Sequence, residues 1–175
     1  MSIDFNGTWT IDLDSSTVWD VNQKKQVPDK VGYEVIKINV VDDVQEYEVQ
    51  YGDGPTFRMG FTCRYDDPAW VAYEVRSVSN VPEIGLEQGT KALKERIHSA
   101  SGDGYRQLEV GKNYGLVRLV YGDRRTHYRI AKDPITGLVM YVMPRRLAED
   151  GKSYVATILN NDGTVFRVRR FVRVD

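Results

Sequence analysis

The first residues of the chain alternate between apolar and polar side chains. Over residues 5–13 the apolar positions fall on one face of an extended chain and the polar positions on the other, the period-2 pattern of a half-buried β-strand. The apolar face consists of Gly7, Trp9, Ile11 and Leu13. The pattern therefore predicts an N-terminal strand with one side against a core.

Similar alternation recurs at short spacing along the rest of the chain. It predicts further strands at about 31–41, 45–51, 56–65, 70–77, 114–121, 124–131, 138–143, 153–160 and 164–174. Short separators rich in Gly, Asp, Asn and Pro, such as residues 52–55, have the composition of hairpin turns. We therefore expect an all-β chain in which residues 1–175 form a single closed antiparallel β-barrel of about 8–10 strands.

Two segments interrupt this rhythm. Residues 14–30 begin with Asp14-Ser15-Ser16 and are expected to form a polar connection. Near 79–112, the i,i+4 pair Leu93 and Ile97 predicts a short helix within a long loop. Such an insertion in a compact barrel either borders a cavity or is a plain surface connection.

The last predicted strand is unusually basic, with the sequence Phe-Arg-Val-Arg-Arg-Phe-Val-Arg over residues 166–173. Together with the Gly-x-Trp at residues 7–9, this strand resembles the calycin superfamily, which contains the lipocalins and the fatty-acid-binding proteins, in a bacterial-type intracellular form. The resemblance implies a lipocalin-like barrel that holds a small ligand. It also implies that Trp9 closes one end of the barrel and that Arg170 packs over Trp9.

The resemblance extends to a ligand grip in the same strand. Residues 169–174 are similar to the Arg-x-Tyr-x-(Lys/Arg)-Val ending of fatty-acid-binding proteins, with Phe171 in place of the tyrosine. Arg167 and Arg169 share a face with Phe171, whereas Arg170 lies on the other face with valines. We expect Arg167, Arg169 and Phe171 to contact the ligand.

A second concentration of polar chemistry lies at residues 121–130. Arg125, His127 and Arg129 share one face of this predicted strand, and Tyr128 lies on the opposite face. His127 and Tyr128 are candidate proton donors or acceptors, and Arg125 and Arg129 are candidate anion ligands. The alternative is that the basic face is simply the solvated outer surface.

The chain contains 11 tyrosines, most of them in predicted strands. A cavity lined by tyrosines and by arginines suits a molecule with an aromatic or apolar body and an anionic end. The residues expected to line it, besides the arginines, are Tyr47, Tyr51, Phe61 and Tyr73. Two functions follow: a binding barrel, or a lyase, decarboxylase or isomerase acting on an aromatic or phenolic substrate in the same cavity.

The amino-acid composition limits the classes of partner and cofactor that we expect. The formal net charge of −1 gives no basic field for nucleic acid or an anionic membrane, and no apolar run approaches the roughly 18 residues of a membrane span. Two histidines and one cysteine lack the spacing of common metal or haem sites, so neither a metal nor a cofactor is expected. The lone Cys63 and an N-terminus without signal-peptide features predict a cytoplasmic protein, either a monomer or a homodimer.

Overall fold

The structure, a computed structural model, describes residues 4–30, 33–51, 56–79, 110–111 and 113–174. Most of the segment near 79–112, including the expected short helix, lies outside the described residues. The described residues contain strands and turns and no helix.

Eleven strands make up the described fold. They are β1 (Gly7–Asp20), β2 (Lys25–Pro28), β3 (Glu34–Val41), β4 (Val44–Tyr51), β5 (Thr56–Arg64), β6 (Val71–Ser79), β7 (Asn113–Asp123), β8 (Thr126–Lys132), β9 (Val139–Leu147), β10 (Ser153–Leu159) and β11 (Val165–Arg173). Neighbours along the chain from β3 to β11 pair antiparallel, and β1 joins β3 on one side and β11 on the other. The result is a single closed antiparallel barrel of ten strands, as the sequence predicted. The extra strand β2 lies beside β1, within the segment that was expected to be a polar connection.

Alternation along each strand determines which side chains enter the barrel. In the β4–β5 pair, Tyr47 lies opposite Phe61 and Val49 lies opposite Met59, and all four side chains are buried. The rings of Tyr47 and Phe61 stack with centroids 4.8 Å apart. The inward facing expected for Tyr47 and Phe61 is therefore confirmed.

Strand β1 is longer than its alternation indicated. Its first half pairs with β3, and after a break in register between Asp12 and Thr17 its second half pairs with β2. The buried Ser16 hydroxyl lies in this irregularity, donating to the Asp12 carbonyl at 2.6 Å and accepting from the Arg170 amide at 3.0 Å. The expected polar connection from residue 14 is thus wrong at its start, because a bulge continues the strand.

Trp9 lies at the seam between β1 and β11. Its side chain is fully buried, and its indole N–H donates to the Phe5 carbonyl at 3.0 Å. The guanidinium over its ring is that of Arg173, whose Cζ lies 4.5 Å from the ring centroid, and Arg173 is also the residue opposite Trp9 in the register. Arg170 is exposed on the outer face, so its expected packing over Trp9 is wrong. Because Phe171 faces inward, the period of two places Arg173 inward and Arg170 outward.

Candidate functional site

Four arginines of the described chain are almost completely buried: Arg129, Arg145, Arg167 and Arg169. They come from β8, β9 and β11, on the faces that alternation turns into the barrel. A buried cation is costly unless a partner compensates it. The four arginines therefore form two pairs, which differ in the groups that surround the positive charge of each guanidinium.

Arg167 and Arg169 are paired with carboxylates of the protein. Nε of Arg167 lies 3.1 Å from Asp29 Oδ2, and Arg169 reaches Asp29 at 3.4 Å and Glu34 Oε2 at 3.1 Å. Burial and the neighbouring Arg169 lower the pKa of Arg167 to about 10, so it remains a cation near neutral pH. This pair is a structural ion network that joins β11 to Asp29, which follows β2, and to Glu34, the first residue of β3.

Arg129 has aromatic rings around it instead of carboxylates. Its Cζ lies 5.1 Å from the Tyr47 centroid, 5.5 Å from those of Tyr73 and Tyr141, and 5.9 Å from that of Phe61. Burial opposes its charge, but the surrounding tyrosines, with Tyr141 first, raise the pKa of Arg129 above its ordinary value. Its Nε and Nη1 are buried with no hydrogen-bond partner. In the described chain no carboxylate lies within ion-pairing distance of this guanidinium.

Arg145 repeats this arrangement on the next strand. Its Cζ lies 4.8 Å from the ring centroid of Tyr47 and 5.9 Å from that of Tyr154. Nε and Nη1 of Arg145 are also buried without a hydrogen-bond partner, and no described carboxylate pairs with them. Tyr47 therefore has both unpaired guanidinium groups, those of Arg129 and Arg145, close to its ring.

Arg145 is not among the residues that the sequence predicted for the site. The strand predicted there ends at about residue 143, before Pro144 and Arg145. In the structure β9 continues to Leu147, and the buried positions keep their period of two through Tyr141, Met143 and Arg145. That continued alternation was the available signal.

His127 lies inside the barrel next to Arg129 and Arg145. It is fully buried, its ring centroid is 4.4 Å from that of Phe5, and its Nδ1 is 3.4 Å from the hydroxyl oxygen of Tyr65. Burial, together with the positive charges of Arg145 and Arg129, holds the pKa of His127 well below its ordinary value of 6.5. The imidazole is therefore neutral, and its Nε2 has no hydrogen-bond partner.

Other interior groups are unsatisfied in the same region. The hydroxyls of Tyr73 and Tyr154 and the amide nitrogen of Gln45 are buried without partners. Burial raises the pKa of both tyrosines, which keeps their hydroxyls protonated. Each buried, unsatisfied polar group costs about 1–3 kcal/mol, and native interiors contain few of them. Several such groups therefore lie in the interior of this one barrel.

The structure brings some of the site residues predicted from the sequence together and places others elsewhere. His127, Tyr47, Phe61 and Tyr73 lie around the unpaired arginines, one of which is the predicted Arg129. Phe171 is also interior and stacks on Tyr154 at 4.8 Å, and Tyr51 is half-buried.

Two of the candidates lie elsewhere. Tyr128 is 37% exposed and points away from His127, and Arg125 lies 3.6 Å from the exposed carboxylate of Glu149. Their expected roles in an interior site are therefore wrong. The alternation predicted the opposite facing of Tyr128 and His127 but not which of them lies inside.

A groove of about 380 Å³ lies partly on the outer face of the barrel, at β1, β3 and β4. Its lining includes Lys37, Glu46, Glu48 and Arg76, and Arg76 lies across Gly60, where a Cβ would meet its guanidinium carbon at 2.6 Å. Both signs of charge line this groove. The groove therefore lacks the unbalanced charge of the interior.

The described residues contain no cluster of three or more His, Cys, Asp or Glu side chains that could hold a metal ion. Within the same residues, no helix has the length and apolar character needed to cross a bilayer. No protein-family model and no curated protein matches this chain. Its function must therefore be inferred from the interior geometry.

Proposed function

We propose that the protein binds a small molecule with an aromatic or apolar body and an anionic group inside the barrel. The anionic group would bind between Arg129 and Arg145. The observation that carries the proposal is the contrast between the two pairs of buried arginines. Arg167 and Arg169 make ion pairs with the carboxylates of Asp29 and Glu34. Arg129 and Arg145 face aromatic rings instead, and no carboxylate of the described chain lies within ion-pairing distance of them.

The energetics support an anion as the missing partner. A desolvated guanidinium costs several kcal/mol, and a cation–π contact returns only about 2 kcal/mol of it. A carboxylate on the ligand would accept charge-assisted hydrogen bonds from the unpartnered nitrogens. The rings around Arg129 would contact the apolar body, and the free hydroxyls of Tyr73 and Tyr154 would bind further polar substituents.

The proposal includes membership of the calycin superfamily and a cytoplasmic location. A closed antiparallel barrel with a buried Trp9 under an arginine supports the first. Cys63, the only cysteine, is free and buried, which is compatible with a reducing compartment.

The test is a calorimetric titration of the purified protein with benzoate and cinnamate. Arg129→Met and Arg145→Met should each weaken binding by at least about tenfold, or roughly 1.4 kcal/mol. The matched control is Arg146→Met, because Arg146 follows Arg145 in β9 and is exposed. Unchanged affinity in both interior variants, or no binding of any aromatic carboxylate to the wild type, would contradict the proposal.

A second candidate function is cofactor-independent acid–base catalysis at the same interior site. It is favoured by the neutral His127, whose unpartnered Nε2 lies beside a guanidinium able to hold a carboxylate. A lyase or isomerase reaction on a phenolic acid would use His127 to accept a proton. Turnover of such a probe that is lost in His127→Gln and kept in Tyr128→Phe would support it, and binding without turnover would exclude it for that probe.

A further inference from the structure

The hydrogen bond between Tyr65 and Gln45 has a defined direction. The Tyr65 hydroxyl donates to Gln45 Oε1 at 2.6 Å. This distance is ordinary for O–H···O and too short for an amide N–H donor, which prefers 2.7–3.2 Å. Burial also raises the pKa of Tyr65, so its proton remains on the hydroxyl. The only proton of the Tyr65 hydroxyl is thus committed to Gln45.

That direction determines the tautomer of His127. With its proton directed to Gln45, the Tyr65 oxygen can only accept a hydrogen bond from His127 Nδ1, which lies 3.4 Å away. A neutral imidazole carries one proton, so a proton on Nδ1 leaves Nε2 as a bare acceptor. Nε2 is buried and has no partner among the described residues. A hydrogen-bond donor on a bound molecule would satisfy it.

The position of this acceptor relative to the anion site is given by the sheet register. His127 of β8 lies directly opposite Arg145 of β9. Side chains at such cross-strand positions have Cβ atoms about 4.5–5.5 Å apart. An acceptor and a cation thus lie side by side on the interior wall.

We infer that the ligand is a hydroxy acid or its N–H counterpart, with a hydroxyl or N–H group that donates to His127 Nε2 while its anionic group binds Arg145. Gln45 and Tyr65 are positioning residues, because they act only by holding the proton on Nδ1. This inference rests on the proposed function, since it assumes that the anion binds at the arginines. It adds that a simple carboxylic acid leaves one buried acceptor unsatisfied.

The tautomer can be measured without any ligand. In ¹⁵N NMR spectra at neutral pH, the two ring nitrogens of His127 should give one protonated and one bare resonance, with Nδ1 protonated. The spectrum of His127→Gln assigns the signals, because the chain has only two histidines. Tyr65→Phe should change the tautomer ratio and Tyr128→Phe should not. A proton on Nε2 in the wild type, or an unchanged ratio in Tyr65→Phe, would overturn the inference.

The ligand class is tested with matched probes. We expect at least one of 2-, 3- and 4-hydroxybenzoate to bind at least about tenfold more tightly than both benzoate and its own methyl ether, which cannot donate. His127→Phe should abolish this preference, whereas Tyr128→Phe, on the outer face of the same strand, should keep both the preference and the benzoate affinity.

Failure of the inference and failure of the proposed function give different results. Equal binding of all the acids with dependence on Arg145 retained would overturn the donor requirement alone. A hydroxyl preference that survives in His127→Phe would also overturn it. No binding of any of these acids would overturn the proposed anion site itself.

Discussion

His127 is an interior residue whose positive charge the barrel opposes. Its pKa lies well below 6.5 in the folded protein, because burial and two arginines oppose a positive charge, whereas the unfolded chain has the ordinary value. As the pH falls through about 6.5, the unfolded chain therefore takes up a proton that the folded protein does not.

Stability should consequently decrease on acidification between about pH 7 and pH 5. The contribution of His127 to the slope is at most about 1.4 kcal/mol per pH unit and disappears above the unfolded pKa. Urea titrations at several pH values should show a shallower slope in His127→Gln than in the wild type, and an unaltered slope in Tyr128→Phe. Equal slopes in all three proteins would mean that folding does not lower the pKa of His127.

At the scale of single residues, the sequence predicted which side chains share one face of a strand. It did not predict which face is turned into the barrel. Alternation placed Arg125, His127 and Arg129 on one face, but Tyr128 and Ile130 made the opposite face apolar enough to be a core. This barrel reverses the usual rule, because its interior contains His127 and buried arginines. Amphipathic pattern alone cannot distinguish such an interior from a solvated surface.

Two elements differ from their predicted limits, and both contain residues that usually interrupt strands. Asp14-Ser15-Ser16 has the composition of a turn, yet a bulge carries β1 through it. Pro144 is accommodated in β9 where the pairing with β10 is interrupted between Val142 and Arg145. Local composition therefore predicted neither the bulge in β1 nor the continuation of β9 past Pro144, which long-range pairing stabilises. Arg145 was not among the predicted site residues because it lies in that continuation.

The bulge in β1 depends on the hydroxyl of Ser16. Ser16→Ala would leave the Arg170 amide and the Asp12 carbonyl without this partner at the β1–β11 seam. We expect a loss of about 1–3 kcal/mol in the free energy of unfolding, measured by urea denaturation. The exposed neighbour provides the control, and Ser15→Ala should change stability by less than about 0.5 kcal/mol. Equal effects of the two substitutions would remove the structural role of the Ser16 hydroxyl.

Closure of the whole barrel depends on the seam where β1 meets β11. The period-2 pattern predicted the burial of Trp9, and the resemblance predicted an arginine over it, but the identity of that arginine required the actual register. Trp9→Ala should lower the free energy of unfolding by about 3–5 kcal/mol because it leaves a cavity under Arg173. Trp19→Ala, on a side chain that is 39% exposed, should cost less. A thermal melt unaffected by Trp9→Ala would contradict the role of Trp9 in closure.

The charge balance of the whole interior is the central claim, and it can be measured without a ligand. If Arg145 is uncompensated, Arg145→Met should leave the free energy of unfolding unchanged or raise it by up to about 4 kcal/mol. Arg169→Met should lower it by about 3–5 kcal/mol, since it leaves Glu34 and Asp29 buried without this cation. The exposed Arg146→Met should stay within about 0.5 kcal/mol of the wild type.

The decisive measurement is the change in the free energy of unfolding that each of the two interior variants shows relative to the wild type. It is obtained by denaturing the ligand-free proteins with guanidinium chloride. A stabilised or unchanged Arg145→Met beside a destabilised Arg169→Met is the predicted result. Destabilisation of Arg145→Met by as much as Arg169→Met would show that the chain itself compensates Arg145, and would contradict an anion site in the barrel.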